Sequence, residues 1–134
     1  MKTLKKVTDI LIDEFNENNE YKFMSYISYF ENYANKYIQL ILLNENKPIG
    51  TIRISIFNGK KQFFDSLYIS KKYRDKGLGK MILRFSENIL KEYRSENVIL
   101  YSKNDWHKNW YISQGYIVSG ITCDKYMIMK KYFK

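Results

Sequence analysis

Two glycines stand where a strand pattern gives way to a helix pattern. Apolar residues alternate along Phe63–Ile69, as in a half-buried strand, and from Leu78 onward they recur with a helical period. Between the two patterns lies Arg74-Asp75-Lys76-Gly77-Leu78-Gly79-Lys80. Glycine lets a backbone come close to a ligand, and the first turn of a helix offers unpaired amides and the positive end of the helix dipole. The sequence therefore predicts a phosphate loop, Arg74–Lys80, at a strand-to-helix junction.

Two well-known phosphate loops do not fit this stretch. A dinucleotide fingerprint requires a third glycine three residues after Gly79, where the chain has Ile82. A P-loop requires a glycine five residues before Gly79 and a Ser or Thr after Lys80, but these positions hold Arg74 and Met81. The remaining spacing, Arg-x-x-Gly-x-Gly, belongs to a third kind of loop.

The rest of the chain divides into strand and helix patterns that describe one domain, residues 1–134. The predicted strands are Thr3–Val7, Tyr37–Leu43, Ile49–Phe57, Gln62–Ile69, Val98–Ser102, Tyr116–Ile121 and Lys125–Met129, and the predicted helices are Ile10–Asn18, Phe23–Tyr33, Gly77–Tyr93 and Trp106–Gln114. Thr8 or Asp9 is the predicted cap of the first helix, and Gly115 ends the last. The turn at 58–61 contains Asn-Gly, which favours a hairpin.

This order, β-α-α-β-β-β-α-β-α-β-β, predicts a mixed α/β (α+β) fold. We expect a central, mostly antiparallel sheet of six to seven strands with helices on both faces.

A second motif follows the predicted strand Val98–Ser102. It reads Asn104-Asp105-Trp106-His107-Lys108-Asn109-Trp110-Tyr111-Ile112-Ser113-Gln114-Gly115-Tyr116. With the phosphate loop, it resembles the GNAT acetyltransferase superfamily, whose signatures are Gln/Arg-x-x-Gly-x-Gly/Ala and Asn-x-x-Ala-x-x-Phe-Tyr-x-x-x-Gly-Phe. Asn104, Tyr111 and the final Gly-Tyr match the second signature, whereas His107 stands where the family usually has alanine. The predicted element order also matches the family along nearly the whole chain.

The resemblance implies acetyl-coenzyme A as the acetyl donor. Backbone amides of residues 75–80 would hold its diphosphate, and the main chain at the end of the preceding strand would pair with the pantetheine arm. In the family, the strands corresponding to 62–69 and 98–102 diverge to admit that arm. The implied cofactor-binding residues are Leu67, Tyr68, Ile69, Arg74, Asp75, Lys76, Gly77, Leu78, Gly79, Lys80 and Asn104. Asn104 has the alternative or additional role of capping the next helix.

By resemblance, Tyr111 is the general acid that protonates the leaving thiolate; otherwise it is one of thirteen tyrosines and only packs. Asp65 is the candidate general base, because it shares a strand face with apolar neighbours, and the alternative is a solvated carboxylate. Ile99, which occupies the other position where family members carry an acid, cannot serve. His107 is a weaker candidate for acid–base work. No second histidine or cysteine cluster indicates a metal.

The net charge of +9 is uneven, with +1 in residues 1–67 and +8 in residues 68–134. A polyanionic cofactor accounts for part of this excess, and a lysine-rich solvated surface for another part. A nucleic-acid partner is a further reading, because some family members modify charged tRNA. Its contacts would be Lys71, Lys72, Arg74, Lys103 and Lys108. A third reading is a coenzyme A-binding protein without catalysis.

The acceptor is not readable from the sequence; a small molecule, a peptide or an RNA amine all fit. Family members are often homodimers. A single cysteine, Cys123, allows no internal disulfide, which makes the cytoplasm the default expectation. No apolar run is long enough to span a membrane, and the N-terminus lacks the apolar stretch of a signal peptide.

Overall fold

The computed structural model describes residues 3–29, 35–57 and 61–133. The strands are β1 (Lys22–Tyr29), β2 (Lys36–Asn44), β3 (Lys47–Phe57), β4 (Lys61–Ile69), β5 (Asn97–Ser102), β6 (Ile117–Ile121) and β7 (Met127–Tyr132), and the helices are α1 (Leu4–Asn18), α2 (Leu78–Glu92) and α3 (Asp105–Ser113). A short 3-10 turn covers Lys71–Tyr73. None of the described helices is long and apolar enough to cross a membrane.

The seven strands form one sheet in the order β1-β2-β3-β4-β5-β7-β6. Neighbouring strands run antiparallel except for β4 and β5, which run parallel. The mixed α/β class and the mostly antiparallel, seven-stranded sheet are therefore confirmed. The antiparallel pairing of β3 with β4 and the helix after the phosphate loop are confirmed as well, and residues 58–60 of the predicted turn lie outside the described residues.

The predicted strand Thr3–Val7 is wrong, because α1 begins at Leu4 and runs through the predicted helix Ile10–Asn18. The cap is Thr3, whose side chain accepts a hydrogen bond from the Lys6 amide at 3.1 Å. Thr8 and Asp9, the two predicted caps, both lie inside the helix, where Thr8 is fully buried and its hydroxyl donates to the Leu4 carbonyl at 2.8 Å. The helix thus starts six residues earlier than its apolar pattern indicates.

The predicted helix Phe23–Tyr33 is also wrong over its described part, where the chain forms β1. Phe23 and Ile27 are four residues apart, and that spacing suits one face of a helix and one face of a strand equally well. β-branched and aromatic residues in this stretch favour the strand. Residues 30–34 lie outside the described residues. The element order of the described residues is therefore α-β-β-β-β-α-β-α-β-β. The second helix that the sequence predicted is absent from residues 23–29.

All three described helices pack on one face of the sheet, whereas the sequence predicted helices on both. Phe15 of α1 and Phe85 of α2 both contact Phe23 on β1, with ring centroids 4.8 and 4.2 Å away. Near the other edge of the sheet, Lys131 on β7 bonds both Glu87 of α2 and the Gln114 carbonyl at the end of α3. The hydrophobic core lies between this face and the helices.

The opposite surface of the sheet, which we call the open face, has no described helix on it. Strand registers place Arg53, Asp65, Phe63 and Ile99 on this face, with Tyr101 two residues further along β5. Their side chains are half-buried or exposed, in contrast to buried neighbours on the helix side such as Ile54. One face of the sheet therefore carries the core, and the described part of the other face carries half-buried and exposed side chains such as these.

Candidate functional site

The parallel strands β4 and β5 pair only at Phe63 and Ile99 and then diverge. Their divergence leaves a cleft of about 1020 Å³ that is lined by β4, the phosphate loop, β5 and α3. Strand ends in a mixed α/β sheet are typical places for ligand sites. The splitting of strands 62–69 and 98–102 that the sequence predicted is therefore present.

The phosphate loop lies at the mouth of this cleft. Gly77 caps α2 in the left-handed conformation, with φ of +78°, which glycine adopts without steric cost. Backbone amides of residues 75–80 donate to no group in the described part of the chain. The dipole of the 15-residue helix α2 adds positive potential at the same place. The turn thus presents several free donors to an anion.

Gly79 makes room beside those amides. A Cβ atom built at Gly79 would lie 3.9 Å from both Ile69 and Trp110 side chains, so the cleft wall there is open but narrow. Lys80 lines the cleft, and Lys76 does not. Arg74 donates from Nε to the Ile69 carbonyl at 2.9 Å and lies over the Tyr68 ring at 5.4 Å. Arg74 therefore fixes the end of β4 through the Ile69 carbonyl and places a positive charge in the phosphate loop.

The β4 backbone contains a bulge in the middle of the cleft. The register with β3 passes from Thr51 opposite Tyr68 to Arg53 opposite Asp65, so two residues of β4 face one of β3. Ser66 within the bulge has φ of +58°, an uncommon conformation for a residue other than glycine. A bulge disrupts the ladder and re-aims backbone groups, here toward the cleft.

Ile69 continues this backbone edge. Ser70 donates to the Ile49 carbonyl on β3 at 2.8 Å, so the alternation of an antiparallel ladder points the Ile69 backbone groups away from β3 and toward the cleft. The same alternation points the Tyr68 backbone toward β3, and Tyr68 contributes its ring to the wall instead. Leu67, at the bulge, also lines the cleft.

Asp65 lines the cleft but is held by an arginine that the sequence reasoning missed. Arg53 donates from Nε to Asp65 Oδ1 at 2.8 Å and from Nη2 to Asp65 Oδ2 at 3.1 Å. The hydrogen bond that Arg53 donates to Asp65 is the largest influence that raises the pKa of Arg53. Both side chains remain about 40% exposed. Asp65 therefore meets a fixed cation across the strands rather than the apolar neighbours that the sequence suggested.

Tyr111 lies on α3 with its side chain in the cleft wall. Its ring packs edge-on against Trp110 and Tyr116, at centroid distances of 5.1 and 5.7 Å. The hydroxyl donates to no group in the described residues, so it is available to a ligand. Burial raises the pKa of Tyr111 to about 12. The phenol therefore stays protonated at neutral pH, as a proton donor must.

A buried carboxylate joins α2 to the elements around α3. Glu87 is only 1% exposed and accepts hydrogen bonds from Tyr116 at 2.7 Å, from Arg84 at 2.8 Å and from Lys131 at 3.1 Å. Burial, and then the negative charge of Glu87, raise the pKa of Tyr116. Because Tyr116 donates its amide to the Tyr111 carbonyl at 3.1 Å, this network fixes the end of α3 in place.

We expect the Glu87→Ala variant to lower the free energy of unfolding by roughly 2 kcal/mol, because three charge-assisted or buried hydrogen bonds are lost. The loss stays below that of a fully buried pair, since Arg84 and Lys131 can still reach water. Urea denaturation followed by circular dichroism measures the change. Glu92→Ala, an exposed residue on the same helix, is the matched control and should change stability by less than about 0.5 kcal/mol. Equal effects of the two variants would contradict the structural role of Glu87.

The other predicted site residues are placed as follows. Asn104 caps α3, accepting a hydrogen bond from the His107 amide at 2.9 Å, and it is not in the cleft lining. His107 is exposed and lines the cleft. Cys123 is exposed with a free thiol. In the ranges 3–29, 35–57 and 61–133, no group of three or more His, Cys, Asp or Glu side chains could hold a metal ion.

The sequence reasoning missed Arg53, the β4 bulge, and the cleft residues Trp106 and Tyr126. Arg53 could have been found by counting outward from the Asn-Gly turn, because Phe57 pairs with Lys61 and the same step count brings Arg53 opposite Asp65. The bulge leaves no comparable mark, since no glycine stands at Ser66.

Comparisons with known proteins agree with this geometry. The model of the Acetyltransferase (GNAT) family matches residues 4–116. Similar solved structures include the PaiA N-acetyltransferase of Thermoplasma acidophilum in complex with coenzyme A, with 26% identity, a TM-score of 0.65, and 72% of this chain and 61% of that chain covered. A proposed streptothricin acetyltransferase of Bacillus anthracis in complex with acetyl coenzyme A has 21% identity and a TM-score of 0.64 over 73% of this chain and 63% of that one.

An acetyltransferase of Streptococcus agalactiae is similar at 19% identity and a TM-score of 0.62, with 78% of this chain and 71% of that chain covered. The chain thus spans less than two thirds of the length of the first two proteins. No curated protein sequence matches it significantly. The family match nevertheless covers most of the chain, including both the phosphate loop and the Tyr111 segment. This chain belongs to the GNAT acetyltransferase family.

Proposed function

We propose that this protein is an acetyl-coenzyme A-dependent N-acetyltransferase, which transfers the acetyl group directly to a primary amine in a ternary complex. The observation that carries the proposal is the set of backbone amides of residues 75–80 that donate to no described group. These amides lie around Gly77, the left-handed N-cap of α2, at the mouth of the cleft between β4 and β5. A diphosphate matches these donors, and an extended arm matches the unpaired edge of β4. The residues present therefore fit the cofactor.

When bound, acetyl-coenzyme A supplies the acetyl thioester, at which a C–N bond to the acceptor forms as the C–S bond breaks. Amides of the phosphate loop, with Arg74 and Lys80, neutralise the diphosphate charge. Ile69 and Leu67 line the cleft, and the Ile69 amide is the group left for an extended arm, because the Ile69 carbonyl already accepts from Arg74. The bulge leaves Ser66 and Leu67 without a paired residue on β3. Their backbone N–H groups can stabilise negative charge that develops on the acetyl oxygen.

Tyr111 holds a proton on its hydroxyl oxygen and gives it to the leaving sulfur atom, since its raised pKa keeps the phenol neutral. The acceptor nitrogen loses one proton to water, and water returns one proton to the Tyr111 phenolate, so the enzyme ends in its starting protonation state. Asp65 was the predicted base, and both of its carboxylate oxygens accept hydrogen bonds from Arg53. We therefore assign Asp65 to holding Arg53 in position.

Acetyl transfer is tested by following thiol release with acetyl-coenzyme A and a panel of amino acids, peptides, polyamines, aminoglycosides and aminoacylated tRNA. The exposed thiol of Cys123 would react with the detection reagent, so Cys123→Ser is the assay background. Multiple turnovers with any amine support the proposal. Tight binding of acetyl-coenzyme A without turnover for the whole panel would show a coenzyme A-binding protein that lacks catalysis.

The high pKa of Tyr111 predicts an unusual alkaline limit. For a saturating acceptor whose amine is already neutral, kcat should hold up to about pH 10.5, where an ordinary phenol would have lost about three quarters of its protonated form. Because the folded-state pKa lies above the unfolded value, this group stabilises the fold below about pH 10, and the contribution fades as pH rises toward 12. A half-maximal kcat at pH 10 or lower would exclude Tyr111 as the acid.

A further inference from the structure

The far end of the cleft passes through the sheet and opens on the open face. Leu83 and Leu100 line the cleft on the helix side, whereas Arg53, Asp65 and Tyr101 line it on the open face. No described helix covers that face. A second molecule can therefore reach the cleft from the side opposite the helices while the phosphate loop is occupied.

Aromatic side chains surround this opening. Tyr101 is 48% exposed and stacks on Phe63, with ring centroids 6.2 Å apart and planes 24° from parallel. Tyr126, in the connection between β6 and β7, is 39% exposed and also lines the cleft. Flat aromatic walls with exposed faces bind planar, apolar groups.

The charges at this opening do not suit a polycation. Both carboxylate oxygens of Asp65 accept hydrogen bonds from Arg53. The other carboxylate in the described lining, Asp75, lies at the opposite end in the phosphate loop. Lys103 lines the cleft as well and is exposed. An additional positive charge on the acceptor would therefore meet like charges, which costs affinity.

Arg53 is held ready to receive an anion. Asp65 engages Nε and Nη2, and the guanidinium lies over the Tyr37 ring at 5.4 Å. The Nη1 hydrogens have no partner among the described residues. A guanidinium that is already fixed loses little side-chain entropy on binding a carboxylate or phosphate.

We infer that the acceptor is a primary amine carried on an aromatic molecule that also bears an anionic group, and that Arg53 binds this group on the open face. This inference rests on the proposed function and specifies its substrate class. The aromatic part lies against Tyr101 and Tyr126, and the amine reaches the cleft between β4 and β5.

Three amines that share one reacting group test the inference: benzylamine, 4-(aminomethyl)benzoate and 4-(aminomethyl)benzylamine. They present a neutral, an anionic and a cationic substituent at the same ring position. We expect kcat/KM for the anionic amine to exceed that for benzylamine by about tenfold, and the cationic amine to be the poorest. Replacing the carboxylate by a phosphate, in 4-(aminomethyl)phenyl phosphate, shows which anion Arg53 prefers. A cationic amine that equals or exceeds benzylamine, or an anionic amine without advantage, overturns the inference.

Arg53 variants separate recognition of the anion from general effects. Arg53→Gln should reduce the anionic-to-neutral ratio of kcat/KM to within about twofold, whereas Arg53→Lys should keep part of it because the charge remains. A ratio that survives in Arg53→Gln overturns the role of Arg53, provided thermal melting shows a folded variant. If acetyl-coenzyme A binds and other amines are acetylated but none of these probes is, the inference fails and the proposed function stands. If acetyl-coenzyme A does not bind, the proposed function itself fails.

Discussion

Gly79→Val should weaken binding of acetyl-coenzyme A by about 100-fold while the protein stays folded. A Cβ atom at this position finds ordinary contact distances of 3.9 Å to Ile69 and Trp110, so the backbone there accepts a side chain. The added methyl groups instead occupy the space beside the free amides of residues 75–80. Isothermal titration calorimetry measures the affinity, and thermal melting measures the fold.

Gly79→Ala is the matched control for this variant. Alanine adds one methyl group and favours a helix over glycine by about 1 kcal/mol, so it should melt at the same or a higher temperature and bind with a smaller loss. Gly77→Val is also expected to block binding, but it strains a left-handed backbone and is less informative. Wild-type affinity in folded Gly79→Val would refute the loop assignment.

Tyr111→Phe should lower kcat by about 100-fold and change the dissociation constant of acetyl-coenzyme A by less than twofold. Phenylalanine keeps the ring that packs against Trp110 and Tyr116 and removes only the hydroxyl, which donates to nothing else in the described residues. Loss of kcat without loss of binding is the mark of an interaction made only as the thiolate leaves.

Tyr132→Phe is the control for Tyr111→Phe, because Tyr132 is exposed at the end of β7 and away from the cleft lining. Its kcat should match the wild type. Steady-state kinetics at saturating acceptor and cofactor would contradict the assignment if Tyr111→Phe turned over within twofold of the wild type.

Local patterns in the sequence predicted the half of the chain that carries the site. The conformation of the phosphate loop can be predicted from the two glycines and the arginine between a strand and a helix. The turn, the cap of α2 and the helix dipole all depend on residues that are neighbours in sequence. The Asn-Gly turn indicated the β3–β4 hairpin for the same reason. These features needed no knowledge of distant contacts.

The N-terminal third and the centre of the cleft could not be predicted in this way. Phe23 and Ile27 fit a helix and a strand alike, and the choice is made by packing against Phe15 and Phe85, which no local pattern shows. The bulge at Ser66 depends on how β4 pairs with β3, which is again a non-local property. The ion pair between Asp65 and Arg53 depends on the same pairing of strands, which no local pattern shows.

The most direct test of the central claim is a crystal structure of the protein with acetyl-coenzyme A. We predict that oxygens of its diphosphate lie about 2.7–3.2 Å from backbone nitrogens between Asp75 and Lys80, with the pantetheine arm between β4 and β5. A cofactor bound elsewhere, or a phosphate loop without contact to it, would contradict the account.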